Sequence, residues 1–313
     1  MNRRGNEYDV SCLVNTTEPA VVNAEVNRIF HELYPTASTA AIDRAFRELT
    51  ALYRGDHPGY RACDTAYHDI QHVLDVTLAM ARLIDGYERG RVGLEPLDEA
   101  TFRLGIITAL FHNCGYIREI GDMQHKNGGE LTLTHVSRGA LFLRNYLPKI
   151  GMGDVADVAS QLIHFTGYEI PVAEIRVPSF RYKLLGSLLG SADIIAQMSD
   201  RCYLEKCRDR LYPEFVAGGL ARRRLPTGEE EILYRSGDDL VRKTPTFYQG
   251  ATRRLDSDLG GAHKYAREHF GGQNLYVEEL MKNIAFARSI GEDSDSALNR
   301  VPPKTIPEGP AEG

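Results

Sequence analysis

Residues 110–116 read LFHNCGY. The largely apolar run 106–111, IITALF, stops at His112 and Asn113, and Gly115 follows. Such a pair reads first as a helix end with a glycine cap behind it. Its other reading is the delivery of an imidazole and a carboxamide to a pocket. That reading needs partners elsewhere in the chain, and it needs helices to bring them together.

The flanking sequence supplies the helices. Val21, Val22, Val26, Ile29 and Phe30 recur at helical spacing after Thr17 and Glu18, as do Ile42, Phe46, Leu49 and Leu52 after a capping Ser38. Further apolar periodicity predicts helices over 66–87, 99–111, 131–146, 154–165 and 180–198. Later ones are expected over 200–215, 239–257, 261–270 and 274–289. Strand-like alternation is scarce. Glu231 to Tyr234, near Pro226 and Gly228, suggest a short hairpin excursion within 220–236. The expected fold class is therefore all-α, a helical bundle over 18–290. Residues 1–17 read as a flexible arm. Residues 291–313, rich in Pro, Gly and acid, read as a disordered tail.

Bulk properties narrow the function. The chain has 313 residues and a formal net charge of −6, which gives no global attraction to nucleic acid. Cys12, Cys63, Cys114, Cys202 and Cys207 are scattered and form no CxxC pair. A disulfide framework and a cysteine-rich zinc site are thus disfavoured, and reduced thiols suit a cytoplasmic protein. The opening MNRRGNEYDV lacks an apolar stretch of signal-peptide length. No apolar run approaches the ~20 residues of a membrane helix, so no membrane association is expected.

Partners for His112 then emerge in order. In AYHDIQHVLDV, His68 and His72 are spaced to share a face if the stretch is helical. His135 opens one predicted helix and His164 closes another. Asp193 lies within LLGSLLGSADIIAQM, an apolar helix in which a lone carboxylate needs a metal, an arginine or a backbone end to offset its burial. A bundle can converge such side chains on one pocket.

In this order the residues resemble the HD superfamily of metal-dependent phosphohydrolases. Tyr67-His68-Asp69-Ile70-Gln71-His72 is similar to the opening motif of cyclic nucleotide phosphodiesterases. LFHNCGY resembles the segment that carries the HD pair, and SADIIAQM resembles the helix with the last metal-binding Asp. The resemblance spans about residues 60–200. It implies a divalent metal centre of one or two Zn, Fe, Mn or Mg ions. His72, His112 and Asp193 would hold the first, Asn113 would stand at the bridging position, and His135 and His164 would hold a second. His68 would be the general acid. The substrate would be a small phosphoester, a nucleotide or cyclic nucleotide, hydrolysed by metal-activated water.

One position departs from the pattern. The second letter of the HD pair is Asp, whereas residue 113 is Asn. A carboxamide offers one neutral carbonyl oxygen and an NH₂ donor, so it bridges two cations poorly. The resemblance thus also admits a catalytically degenerate domain that binds a nucleotide or metal as a sensor or interaction module. Three arginines, Arg222 to Arg224, read as a solvated loop or as a basic loop over a phosphate. No residue is assigned to substrate binding.

Overall fold

The computed structural model describes residues 4–224, 228–290 and 297–304. The helices in chain order are α1 (Pro19–Leu33), α2 (Ala40–Arg54), α3 (Ile70–Gly90), α4 (Glu99–Phe111), α5 (His135–Tyr146), α6 (Ala156–Leu162) and α7 (Phe180–Ser199). They are followed by α8 (Tyr203–Lys206), α9 (Tyr212–Ala217), α10 (Gly237–Arg253), α11 (Ala266–His269) and α12 (Leu275–Ser289). Strands β1 (Arg222–Arg224) and β2 (Glu230–Ile232) pair antiparallel, with Arg222 opposite Ile232 and Arg223 opposite Glu231. The fold is an all-α bundle with one small hairpin, as the periodicity predicts.

α3 sits at the centre and packs on α1, α4, α7 and α11. Its sequence explains the position. Val73, Leu74, Val76, Leu78, Met80, Leu83 and Ile84 are all buried, and so are the polar Gln71, Arg82 and Asp85 on its other face. A helix buried on both its apolar and its polar face has to be enclosed by others. α4 and α7 are also buried over most of their length and pack on α3 and on each other.

The start of α3 differs from the expectation. Asp69 is the N-cap, and its carboxylate accepts the His72 N–H at 3.0 Å. The helix therefore begins at Ile70, and His68 lies outside it. His68 and His72 do not share a helical face. An acid placed three residues before an amide it can cap wins over continuation of the apolar period.

The two ends also differ from expectation where they are described. Residues 4–17 are packed rather than loose. Val10 and Val14 join the core, and Asp9 Oδ2 lies 2.6 Å from Arg82 Nη2 with both side chains buried. Arg82 is a core cation of α3, and the N-terminal segment brings its countercharge. At the other end Leu298 is buried, Asn6 donates to the Val301 carbonyl at 3.0 Å, and Arg210 donates to the carbonyls of Pro302 and Pro303. Residues 297–304 are thus docked. The rest of the expected tail, 291–296 and 305–313, lies outside the described residues, as do 1–3 and the hairpin tip 225–227. No helix of the described residues is long and apolar enough to cross a membrane.

Candidate metal centre

Three helices each bring one side chain to the same place. His72 is in the first turn of α3, His112 is the C-cap of α4, and Asp193 lies in α7. Their ligand atoms all lie within 4.8 Å of one another. Asp193 Oδ1 is 3.4 Å from His72 Nε2 and 3.9 Å from His112 Nε2. The two imidazole centroids are 5.5 Å apart. Among the described residues, this is the group of histidine, cysteine and acidic side chains that meets at such range.

The protonation of His112 follows from its surroundings. Its Nδ1 donates to the Ala109 carbonyl at 2.7 Å, an assignment made from the hydrogen-bond geometry. Burial pushes its pKa down to about 4, against the pull of Asp193 and with a smaller push from His72. The ring is therefore neutral near pH 7 and carries its lone pair on Nε2. That atom is buried and has no hydrogen-bond partner. Such a group costs roughly 1–3 kcal/mol unless something satisfies it. Asp193 behaves oppositely. Burial raises its pKa, but the His72 hydrogen bond and the charges of His112 and His72 leave it below its ordinary value. An orphaned imidazole nitrogen, a second imidazole and an ionised carboxylate form a donor set that fits a divalent Zn, Fe or Mn ion.

His68 stands beside this group, its centroid 5.6 Å from that of His72. Glu214 of α9 holds it. Glu214 Oε2 is 2.5 Å from His68 Nδ1, and Oε1 accepts the Tyr67 N–H at 2.6 Å. The His68 ring stacks on Tyr116 at 4.3 Å, and Tyr116 stacks in turn on His135 at 4.3 Å. Gly115 makes that stack possible. A Cβ there would lie 1.8 Å from the His135 carbonyl oxygen, so only glycine lets the turn Cys114–Tyr116 approach α5 this closely. Gly115 thus serves a close approach, whereas the sequence suggested a helix cap.

Two of the remaining expected ligands, His135 and His164, stand apart from the group. His135 Nδ1 donates to the Thr132 carbonyl at 2.6 Å, and burial, helped by His68, pushes its pKa down to about 4. His164 Nδ1 is 2.9 Å from Glu169 Oε1. Neither histidine joins the close group. Asn113 is buried directly after His112, and its backbone carbonyl oxygen accepts the Tyr116 N–H at 3.1 Å. Arg222 and Arg223 are exposed and pair with Glu230 and Glu231 across the hairpin, which is the solvated-loop reading. Glu214 and Glu169 had no place in the sequence-based set. No local pattern marks either one, because each is defined by a histidine it meets in space.

Residues 123–289 match the model of the Npun_R2479-like family. No curated protein and no solved structure matches the chain. The matched segment contains His135, His164, Asp193 and Glu214, and His68, His72 and His112 lie before it. Since the match takes in more than half of the sequence, the chain belongs to the Npun_R2479-like family.

Proposed function

We propose that the protein is a metal-dependent phosphohydrolase resembling the HD superfamily, acting on a small phosphoester, a nucleotide or cyclic nucleotide. The observation that carries this reading is the meeting of His72, His112 and Asp193 with the His112 Nε2 left without a partner. These three side chains would hold one divalent ion. Such an ion lowers the pKa of water and so supplies a nucleophile at neutral pH.

The chain's own groups have separable roles in this reading. His112 offers a neutral donor nitrogen, and Asp193 offers negative charge that offsets the cation. His68 has Nδ1 committed to Glu214, so its Nε2 is the nitrogen free to hand a proton to the leaving alkoxide. Glu214 gives the protonated ring a countercharge, and the Tyr116 stack fixes its plane. The net charge of −6 favours a small-molecule partner over nucleic acid. All five cysteines are free, which suits a cytoplasmic location.

Asn113 favours a second reading, a domain that binds metal or nucleotide without turnover and acts as a sensor or interaction module. Its amide adds no charge for a second cation, and His135 and His164 stay outside the close group. Turnover of a panel of phosphodiesters and nucleotides with added Mn²⁺ separates the two. Activity in the natural protein that His68→Ala removes, with bound metal retained, supports the hydrolase. Activity that appears only in Asn113→Asp supports the sensor.

A further inference from the structure

The turn over residues 66–72 carries both His68 and His72, so its shape decides where those two imidazoles stand. One short stretch of chain grips it. Between α8 and α9 the backbone widens into a π-helical turn, Cys207–Leu211, a feature frequent at functional sites. Arg210 lies in this turn, and Glu214 follows four residues later in α9. Glu214 takes the Tyr67 N–H and His68 Nδ1. Arg210 takes the neighbouring groups. Its Nη1 is 3.3 Å from Asp69 Oδ2 and 3.5 Å from the Ala66 carbonyl oxygen. Asp69 in turn accepts the His72 N–H.

The other arm of the same guanidinium is committed to the C-terminal segment. Arg210 Nη2 donates to the carbonyls of Pro302 at 3.2 Å and Pro303 at 2.6 Å. A guanidinium presents its N–H groups in a rigid planar fork. The orientation that serves the two proline carbonyls is therefore the one that meets Asp69. The sequence suits this contact. Val301-Pro302-Pro303 favours an extended backbone with no internal hydrogen bonds, which leaves its carbonyls to an outside donor. The segment is anchored on both sides of that pair. Leu298 is buried, the Arg300 N–H donates to Glu205 Oε1 at 3.3 Å, and the Val301 carbonyl accepts from Asn6. The Val301 side chain is 77% exposed, so the segment lies on the surface as a strap.

We propose that this strap is a regulatory latch on the site, with Arg210 as the positioning residue through which it acts. Seated, the strap holds Arg210 against Asp69 and fixes the turn that carries His68 and His72. Lifted, it frees the guanidinium and loosens that turn. The consequence for metal and turnover rests on the metal-centre reading given above. The coupling of strap to turn does not.

Amide hydrogen exchange on the full-length protein tests the latch, with Leu298→Asp to unseat the strap and Arg210→Ala to cut the link while Leu298 stays in place. Each variant should lower protection of the His72 amide by at least about tenfold, a local opening that leaves α2 as protected as in the wild type. The double variant should be no worse than the stronger single one, because both act on one link. Unchanged His72 protection in either single variant, effects that add in the double variant, or a fall that extends equally over α2 would each overturn the latch. Mn²⁺ titration of the same preparations should show affinity weakened by about 10-fold to 100-fold, as when a group supporting a ligand is lost. Lost protection in a protein whose wild type binds no metal sinks the metal centre and leaves the latch standing. Metal bound equally by all variants, with His72 protection unchanged, sinks the latch alone.

Discussion

Glu214 holds His68 from 146 residues along the chain, with Oε2 at 2.5 Å from Nδ1 and Oε1 on the Tyr67 amide at 2.6 Å. One carboxylate thus fixes both the ring and the backbone that carries it. Glu214→Gln keeps the size but removes the charge. Turnover should fall by about 10-fold to 100-fold, part of the roughly 10²–10⁴-fold a general acid supplies, with metal content unchanged. An unchanged rate would remove Glu214 and His68 from the proton-transfer role.

Asp69 ties the cap of α3 to the metal centre, because the amide it accepts belongs to His72. It also receives Arg210 at 3.3 Å. Asp69→Ala should destabilise the fold by about 1–2 kcal/mol, the usual range for a lost cap, and weaken metal binding. Asp69→Asn should retain most of both. Urea unfolding together with metal titration checks this, and full metal affinity in Asp69→Ala would show that the cap does not position His72.

The Asp9–Arg82 pair makes the N-terminal segment part of the core. Burial raises the Asp9 pKa, but Arg82 and the amides of Ser11 and Val14 leave it below its ordinary value of 3.8. A group depressed on folding stabilises the native state above its unfolded pKa, and this contribution is lost as pH falls through the folded value. Stability should therefore be full above about pH 4 and decline in stronger acid. Asp9→Asn leaves a buried guanidinium uncompensated and should cost about 3–5 kcal/mol at pH 7, with a shallower acid dependence. Equal urea midpoints for variant and wild type would contradict the docked segment.

Much of this was legible in the sequence because apolar spacing is local. Helices α4, α7 and α12 begin and end within a few residues of their predicted bounds. His112 and Asp193 also stood out, since each is a polar break in an apolar helix that demands an explanation. The shared face of His68 and His72 was misread because one capping carboxylate, Asp69, shifts the helix start past His68. The described parts of the two ends, 4–17 and 297–304, were misread from composition alone. Asp9, Arg210 and Pro302 find their partners only in three dimensions. Glu214 and Glu169 escaped for the same reason.

The central claim is that His72, His112 and Asp193 hold a divalent ion. Elemental analysis of the purified full-length protein, before and after incubation with Mn²⁺ or Zn²⁺, tests it most directly alongside His112→Ala and Asp193→Asn. The account predicts tightly bound metal in the wild type and loss of it in both variants, with the fold retained by circular dichroism. A wild type that takes up no metal under either condition, or variants that retain it fully, would contradict the account.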